Sequence, residues 1–321
     1  MLKILKNNNK FNKNFFFYFK ILLILSLIYL FFNKFNFIEV LLILNELNYL
    51  AVLSLFSILI IIHILKTIRL NIVMRNYNFK ETLEFFSKIT LFNGIISFRT
   101  GDLYFLYKLK NSSNKINKKT IEYIKIYIKD LLIIFLLLLF TLNLDTSIYE
   151  LVNFAYNKFI INLILLIFAI ILIICIVSSY VFNSLLNFIV RIINKIKFFK
   201  NLNLEIYNPK KIFDFNINIS LISVLIAFFY LFSIYITLNV FFNNENNIII
   251  SILIYCFVNI GRIIINVPAN IVVFHYIAYM LLNIYNYDSI KSASFVIFFN
   301  FITIIVILFM GFISLLINKI K

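Results

Sequence analysis

The 321-residue chain has little of what soluble enzymes use for chemistry: no tryptophan, two cysteines, two histidines, two prolines, four glycines and 13 acidic residues. So few histidines, cysteines and carboxylates give no metal-ligand spacing, no paired catalytic carboxylates and no Ser/His/Asp order along the sequence. The glycines form no glycine-rich nucleotide loop. Cys175 and Cys256 lie inside apolar runs, which is typical of small packed side chains rather than of a disulfide. We therefore expect no metal, no cofactor and no enzymatic activity.

What the chain has in excess is apolar surface. Hydrophobic residues make up 63% of it and charged residues only 13%, with a mean hydropathy of +1.00. These values lie far outside the range of soluble globular domains and indicate an integral membrane protein. The net charge of +17 is explained by basic residues that border apolar spans and face anionic lipid, so nucleic acid is not an expected partner.

Six apolar stretches approach the roughly 20 residues that a membrane-spanning helix needs. The first follows a basic start without a small-residue cleavage site, and we expect it to remain as an uncleaved span. The longest stretch between spans, about 66–128, is itself largely apolar or amphipathic, so we expect residues 1–321 to form a single transmembrane domain without a soluble catalytic domain. The predicted spans are 15–33, 47–65, 129–144, 158–181, 216–242 and 292–317.

Two further apolar segments, 83–106 and 247–282, are interrupted by glycine, proline or polar residues. Each is compatible with a helical hairpin that enters and leaves the membrane on one side, an arrangement that transporters place around a central site. The alternatives are an interfacial amphipathic helix for the first segment and two ordinary short spans for the second. The predicted fold is thus an all-α, polytopic membrane protein with about six full spans and two interrupted or re-entrant hairpins.

The distribution of positive charge predicts the orientation. If the six spans alternate from a cytoplasmic N-terminus, the cytoplasmic pieces 1–20, 66–130, 183–211 and 318–321 carry 26 of the 30 Lys and Arg residues. This bias follows the positive-inside rule. We expect a multi-pass protein of the cell (inner, cytoplasmic) membrane with both termini in the cytoplasm.

The first interrupted segment contains Arg99 and Asp102 close to Asn93, Gly94 and Gly101. A charge at the bilayer centre costs about 2.5–3.5 kcal/mol, so both charges must face protein, water or headgroups. Arg99 is a candidate ligand for a lipid phosphate, because guanidinium matches phosphate oxygens in bidentate fashion, and Asp102 would orient it. The glycines would allow close approach of the backbone. A structural ion pair in an interfacial loop is the alternative.

The second interrupted segment carries Arg262 midway along its length, between Gly261 and the break at Pro268. It is a second candidate for the substrate site, with snorkelling from a short span as the alternative. If both hairpins are real, Arg99 and Arg262 would approach one cavity from opposite sides. Asp130, at the cytoplasmic entry of the third span, is a supporting candidate whose simpler interpretation is a boundary charge.

The order of these features resembles the flippase-like membrane domain found at the front of lysylphosphatidylglycerol synthases and as stand-alone proteins. Arg69 matches an arginine near the end of the family's second span, and the segment "FNGIISFRTGD" matches a motif of Asn, Arg, Gly and an acidic residue. Asp130, before a Leu-rich run, matches an acidic residue that leads into the third span. The resemblance covers roughly residues 15 to 317.

This resemblance implies a flippase-like transporter that moves an anionic lipid or lipid-linked precursor between leaflets. The lysyl-transfer activity of the larger synthases belongs to a separate soluble domain, which we do not expect in this chain. The alternative function is a non-catalytic membrane accessory subunit of a glycosyltransferase or of another lipid-modifying enzyme. The expected partners are therefore membrane lipids, mainly anionic, and such an enzyme.

Overall fold

A computed structural model of the protein describes eight helices that account for nearly all of its described residues. Their apolar composition and length agree with the all-α expectation. The described residues are 37–74, 77–95, 101, 105, 118–144, 166–167, 170, 217–242, 247–264 and 271–319. The helices are α1 (Phe37–Asn45), α2 (Tyr49–Val73), α3 (Phe79–Ile95), α4 (Lys118–Leu144), α5 (Ile217–Phe241), α6 (Asn247–Ile264), α7 (Ile271–Ile284) and α8 (Ser289–Lys319).

Four of these helices are long and apolar enough to cross a bilayer: α2, the 126–143 part of α4, α5, and the 289–317 part of α8. They correspond to four of the six predicted spans, which confirms a multi-pass helical protein. The predicted span 15–33 lies outside the described residues, and so does 158–181 apart from three positions.

The long helices expose a continuous apolar surface that suits lipid chains. On α5 the outward side chains include Leu221, Leu225, Phe228 and Phe232, which recur at the spacing of one helix face. Exposure of these apolar side chains to water would be unfavourable, whereas lipid tails are an apolar solvent for them. On α8 the corresponding exposed residues are Phe301, Ile304, Leu308, Phe309, Phe312, Leu315 and Leu316.

The centre of the bundle is the pair α2 and α5, which pack along each other and also contact α4 and α8. Contacts between their side chains run in opposite sequence directions, from Arg69 beside Ser223 to Lys66 beside Tyr230. The two helices are therefore antiparallel. This is the relation that alternating spans predict for the second and fifth spans.

Helices α6 and α7 form a hairpin whose base is fixed at the end where α5 finishes. The buried side chain of Asn247 donates to the Asn239 Oδ1 atom (2.6 Å) and to the Phe242 carbonyl (2.8 Å), and accepts from the Tyr287 hydroxyl (2.9 Å). Tyr287 lies three residues after the end of α7, so Asn247 links both ends of the hairpin to the end of α5.

The described arms of the hairpin are shorter than α2, α4, α5 and α8. Its arms have 18 and 14 residues, or about 27 and 21 Å at 1.5 Å per residue, against a hydrocarbon core of about 30 Å. The six residues between the arms include Asn266 and Pro268. The described residues of this segment form the helices 247–264 and 271–284, while the predicted break at Asn266 and Pro268 lies outside the described residues. The choice between a re-entrant hairpin and two ordinary short spans stays a prediction.

The turn from α7 into α8 is built from two standard end motifs. Asn286 adopts a left-handed conformation (φ 57°), and the Tyr287 and Asn286 amides donate to the Leu282 and Asn283 carbonyls, which is a Schellman motif. Asp288 then caps α8 through hydrogen bonds from the Ile290 and Lys291 amides at 3.0 and 2.8 Å. These motifs fix the start of α8 beside the hairpin base.

Candidate functional site

An ion pair joins α2 to α4 inside the bundle. The Arg69 Nη1 atom donates to the Asp130 Oδ1 atom at 2.6 Å and to the Ser223 Oγ atom of α5 at 2.7 Å. The Arg69 side chain is 10% exposed and that of Asp130 is 31% exposed. One guanidinium therefore holds three helices together.

The pair lies inside the spans, close to one end of each. Arg69 is four residues from the end of α2, Asp130 is four residues into the candidate span of α4, and Ser223 is six residues into α5. At 1.5 Å per residue these positions are about 6–9 Å from the span ends. Asp130 is thus a partner in a three-helix contact and not an isolated boundary charge.

A second polar contact continues from this ion pair toward the middle of the bundle. The Lys66 Nζ atom donates to the Tyr230 hydroxyl at 3.0 Å and lies 4.6 Å from the centroid of its ring. Lys66 is three residues before Arg69, so both cations project from one face of α2. The Tyr230 ring is 6.2 Å from that of Tyr255 on α6.

Helix α6 runs in the same direction as α2 and brings Arg262 to the depth of Arg69. Asn239 beside Asn247 and Tyr230 beside Tyr255 show that α5 and α6 are antiparallel. Arg262 is seven residues after Tyr255, and Ser223 is seven residues before Tyr230. This register therefore places Arg262 level with Ser223. Arg262 therefore lies on the helix that also places Tyr255 beside Tyr230.

These groups form one site, which we call the polar cluster. It is built by four helices, and its charged members among the described residues are three cations and one carboxylate. Tyr255 of α6 belongs to it through its ring contact with Tyr230. The members of the polar cluster are Lys66, Arg69, Asp130, Ser223, Tyr230, Tyr255 and Arg262.

Ser220 adds a hydroxyl on the same side of α5. Residues 220, 223, 227 and 230 are spaced by three and four, so they lie along one helix face. The Ser220 Oγ atom is buried and has no hydrogen-bond partner among the described residues. A buried hydroxyl without a partner is unfavourable by about 1–3 kcal/mol, and such a group is unusual unless a ligand or water completes it.

Two residues of the motif 92–102, Asn93 and Gly101, are held together by a close contact between side chain and backbone. The Gly101 amide donates to the Asn93 Oδ1 atom of α3 at 2.9 Å. A Cβ atom at Gly101 would lie 2.1 Å from the Ile89 carbonyl oxygen and 2.8 Å from Asn93 Oδ1. Only glycine fits there, which is the close approach that the sequence predicted for this position.

The other predicted site residues are placed as follows. Gly94 is in the last turn of α3, and Gly261 is buried in α6 directly before Arg262. Arg99, Asp102 and Pro268 lie outside the described residues. The predicted meeting of Arg99 with Arg262 therefore stays a prediction, and the described arginine at the level of Arg262 is Arg69.

Sequence reasoning missed the partners that other helices supply. His275 had no partner at helical spacing, yet its Nδ1 atom lies 3.0 Å from the Asn300 amide nitrogen of α8. Nothing in the sequence marked Ser223 and Tyr230 as site residues, because serine and tyrosine are ordinary in apolar helices. Within the described part of the chain no three His, Cys, Asp or Glu residues are grouped as metal ligands would be.

Residues 17–311 match the protein family described as lysylphosphatidylglycerol synthase TM region. The chain belongs to this family. The match includes every member of the polar cluster and both interrupted segments. The family is a membrane domain, often flippase-like. No curated protein and no solved structure matches the chain.

Proposed function

We propose that this family member moves an anionic lipid or lipid-linked precursor between membrane leaflets, and that the polar cluster binds the headgroup. The observation that carries the proposal is the depth of the cluster. Arg69 and Arg262 reach the same level of the bundle on α2 and α6, which are both antiparallel to α5 and therefore run in the same direction. A headgroup held there would lie inside the membrane, about 6–9 Å from the span ends on the side where α2 finishes.

The chemistry of the cluster favours an anion. Charges within the membrane are costly and face protein, water or ligand rather than lipid tails. Among the described members cations outnumber carboxylates. Two guanidinium groups offer planar, bidentate donors for phosphate oxygens, and the lysine and hydroxyl groups add further donors. The proposed location of this activity is the cell membrane, with both termini in the cytoplasm and the polar cluster nearer the cytoplasmic surface.

The accessory-subunit alternative is favoured by one specific observation. Arg69 is already engaged by Asp130 and Ser223, as in a contact that only joins helices. A protein that stabilises a glycosyltransferase or lipid-modifying enzyme would need the helix contact and no headgroup site. We propose transport as the primary function because a structural contact does not require Arg262 at the same depth.

The test is leaflet exchange of a fluorescent phosphatidylglycerol in vesicles with the purified protein reconstituted at matched levels. We expect Arg262→Ala to abolish exchange, although removal of a membrane charge makes insertion easier. Arg99→Lys and Arg69→Lys should impair exchange, since an ammonium keeps the charge but not the bidentate fork. Lys80→Ala, at an exposed position of α3, is the matched control and should exchange like the wild type.

Full exchange in the Arg262→Ala and Arg99→Lys variants would show that the arginines are structural. Absence of exchange in the wild type, with a folded protein, would favour the accessory role. Co-purification with a glycosyltransferase or lipid-modifying enzyme would then be the decisive measurement.

A further inference from the structure

The Arg69–Asp130 pair shows where the polar cluster holds negative charge. The Arg69 guanidinium donates to the Asp130 carboxylate at 2.6 Å and to the Ser223 hydroxyl at 2.7 Å, and both hydrogen bonds leave from its Nη1 atom. Carboxylate and phosphate groups present the same kind of charged oxygen to a guanidinium, so one can take the place of the other. The position of the Asp130 carboxylate therefore marks an anion position on Arg69.

The carboxylate is the less firmly held partner of this pair. The Asp130 side chain is 31% exposed, whereas that of Arg69 is 10% exposed. The pair has one hydrogen bond, from Nη1 to Oδ1, rather than the two parallel bonds of a bidentate pair. Asp130 is also only four residues into the candidate span of α4, so another rotamer can direct its carboxylate toward the membrane surface.

Arg69 keeps a contact when the carboxylate leaves. Its hydrogen bond to Ser223 does not involve Asp130, and the Ser223 hydroxyl, which accepts that bond, still has its own proton to donate. Ser220 lies one turn nearer the start of α5 on the same helix face, and its buried Oγ atom has no hydrogen-bond partner among the described residues. The two serine hydroxyls are therefore candidate donors to an anion beside Arg69.

Two anions cannot share Arg69 without a penalty. If Asp130 stayed in place to orient the guanidinium, a bound phosphate would lie next to a carboxylate. Like charges at that separation repel, and the repulsion is stronger inside a bundle than in water. Exchange of one anion for the other avoids this repulsion.

We infer that Asp130 is an internal competitor of the substrate, and that its carboxylate and the phosphate group of the anionic lipid take turns on Arg69. Headgroup binding displaces Asp130, and the return of Asp130 to Arg69 releases the headgroup from the polar cluster. The inference rests on the proposed function, because it requires a headgroup at the cluster. It makes the engagement of Arg69 by Asp130 part of the binding cycle.

The first experiment measures binding of short-chain phosphatidylglycerol to the purified full chain in detergent by titration calorimetry, with inorganic phosphate as the soluble probe. Asp130→Asn keeps the shape of the side chain and removes its charge. We expect it to bind the lipid about fivefold or more tightly than the wild type, because the apparent affinity is reduced by the fraction of molecules in which Asp130 occupies Arg69. Asp130→Glu keeps the competing carboxylate and should bind like the wild type.

The matched control is Glu84→Gln, which changes the net charge by the same amount. Glu84 pairs with Lys88 within α3, away from the polar cluster, so this variant should bind the lipid like the wild type. Tighter binding by Asp130→Asn alone would separate the loss of a competitor from a general gain of positive charge.

The second experiment uses the wild type, so it does not depend on the folding of a variant. Carboxyl groups are labelled with a carbodiimide and the labelled residues are identified by mass spectrometry. Saturation with short-chain phosphatidylglycerol should increase labelling of Asp130, because its carboxylate leaves Arg69, and should leave labelling of Glu84 unchanged.

Three results would overturn the inference. One is equal or weaker lipid binding by folded Asp130→Asn, which is the result expected if Asp130 only joins helices or orients Arg69. Another is unchanged or reduced labelling of Asp130 when the lipid binds. The third is tighter binding of inorganic phosphate alone, which would contradict the assignment to a lipid. Lipid binding without leaflet exchange would overturn transport and leave the competition intact, whereas no binding by any variant would overturn the headgroup site and this inference together.

Discussion

The ion pair between Arg69 and Asp130 gives the most direct test of how this bundle is held together. At 2.6 Å and an effective dielectric constant of about 20, the gross attraction is about 6 kcal/mol. Most of it is offset, since both groups lose water and side-chain freedom. Removing one partner of a fully buried pair costs about 3–5 kcal/mol, but Asp130 is 31% exposed. We therefore expect Asp130→Asn to lower the free energy of unfolding by about 2 kcal/mol.

The assay is a double-mutant cycle on reversible unfolding in bicelles or mixed detergent micelles. The variants are Asp130→Asn, Arg69→Met and the double variant. Arg69→Met alone should destabilise by about 2–4 kcal/mol, because it leaves the carboxylate without its partner and also removes the contact with Ser223. The double variant should be less destabilised than the sum, with a coupling energy of at least about 1 kcal/mol.

Additive single effects, with a coupling below about 0.5 kcal/mol, would refute this reasoning. The contact would then be a solvated pair that contributes nothing measurable, and the packing of α2 against α4 would rest on apolar contacts alone. Lys88→Met serves as the control, because its pair with Glu84 is a partly exposed contact within α3 and should be worth less than about 0.5 kcal/mol.

Three further predictions address other parts of the chain. Gly101→Ala should destabilise the protein by several kcal/mol or prevent folding, because the new Cβ atom would lie 2.1 Å from the Ile89 carbonyl oxygen. Gly311→Ala is the control: its Cβ atom would lie 3.1 Å from a Leu91 methyl group, and it should be tolerated far better in the same thermal unfolding measurement. Ser220→Ala should raise the free energy of unfolding of the lipid-free protein by about 1 kcal/mol, because it removes a buried hydroxyl without a described partner. It should also reduce the additional stabilisation that phosphatidylglycerol gives over phosphatidylcholine. A less stable lipid-free variant would contradict the assignment of an unpartnered hydroxyl. Single cysteines at 145–157 and 285–290 should react with an impermeant reagent from outside and those at 111–119 only after permeabilisation, while outside access at 111–119 would overturn the orientation.

The class of protein and the position of most long helices were predictable because they depend on local composition. A run of about 20 apolar residues is a helix in lipid whatever surrounds it, since only a helix satisfies its own backbone hydrogen bonds there. The ends were less predictable: α2 continues to Val73, so Arg69 is inside the helix and not in the loop that the apolar run suggested. Helix ends are set by capping and tertiary contacts, which apolar counting does not detect.

The sequence by itself determined that the protein is a multi-pass helical membrane protein, and it predicted a close backbone approach at Gly101. Only the tertiary structure decided which polar residues meet. Asp130 is 61 residues from Arg69, and Ser223 is 154 residues from it, yet one guanidinium contacts both. Single serines, tyrosines and flanking charges look alike in every apolar helix. Their partners depend on the rotation and register of helices that are distant in the chain, and these are fixed by packing between helices rather than by local sequence.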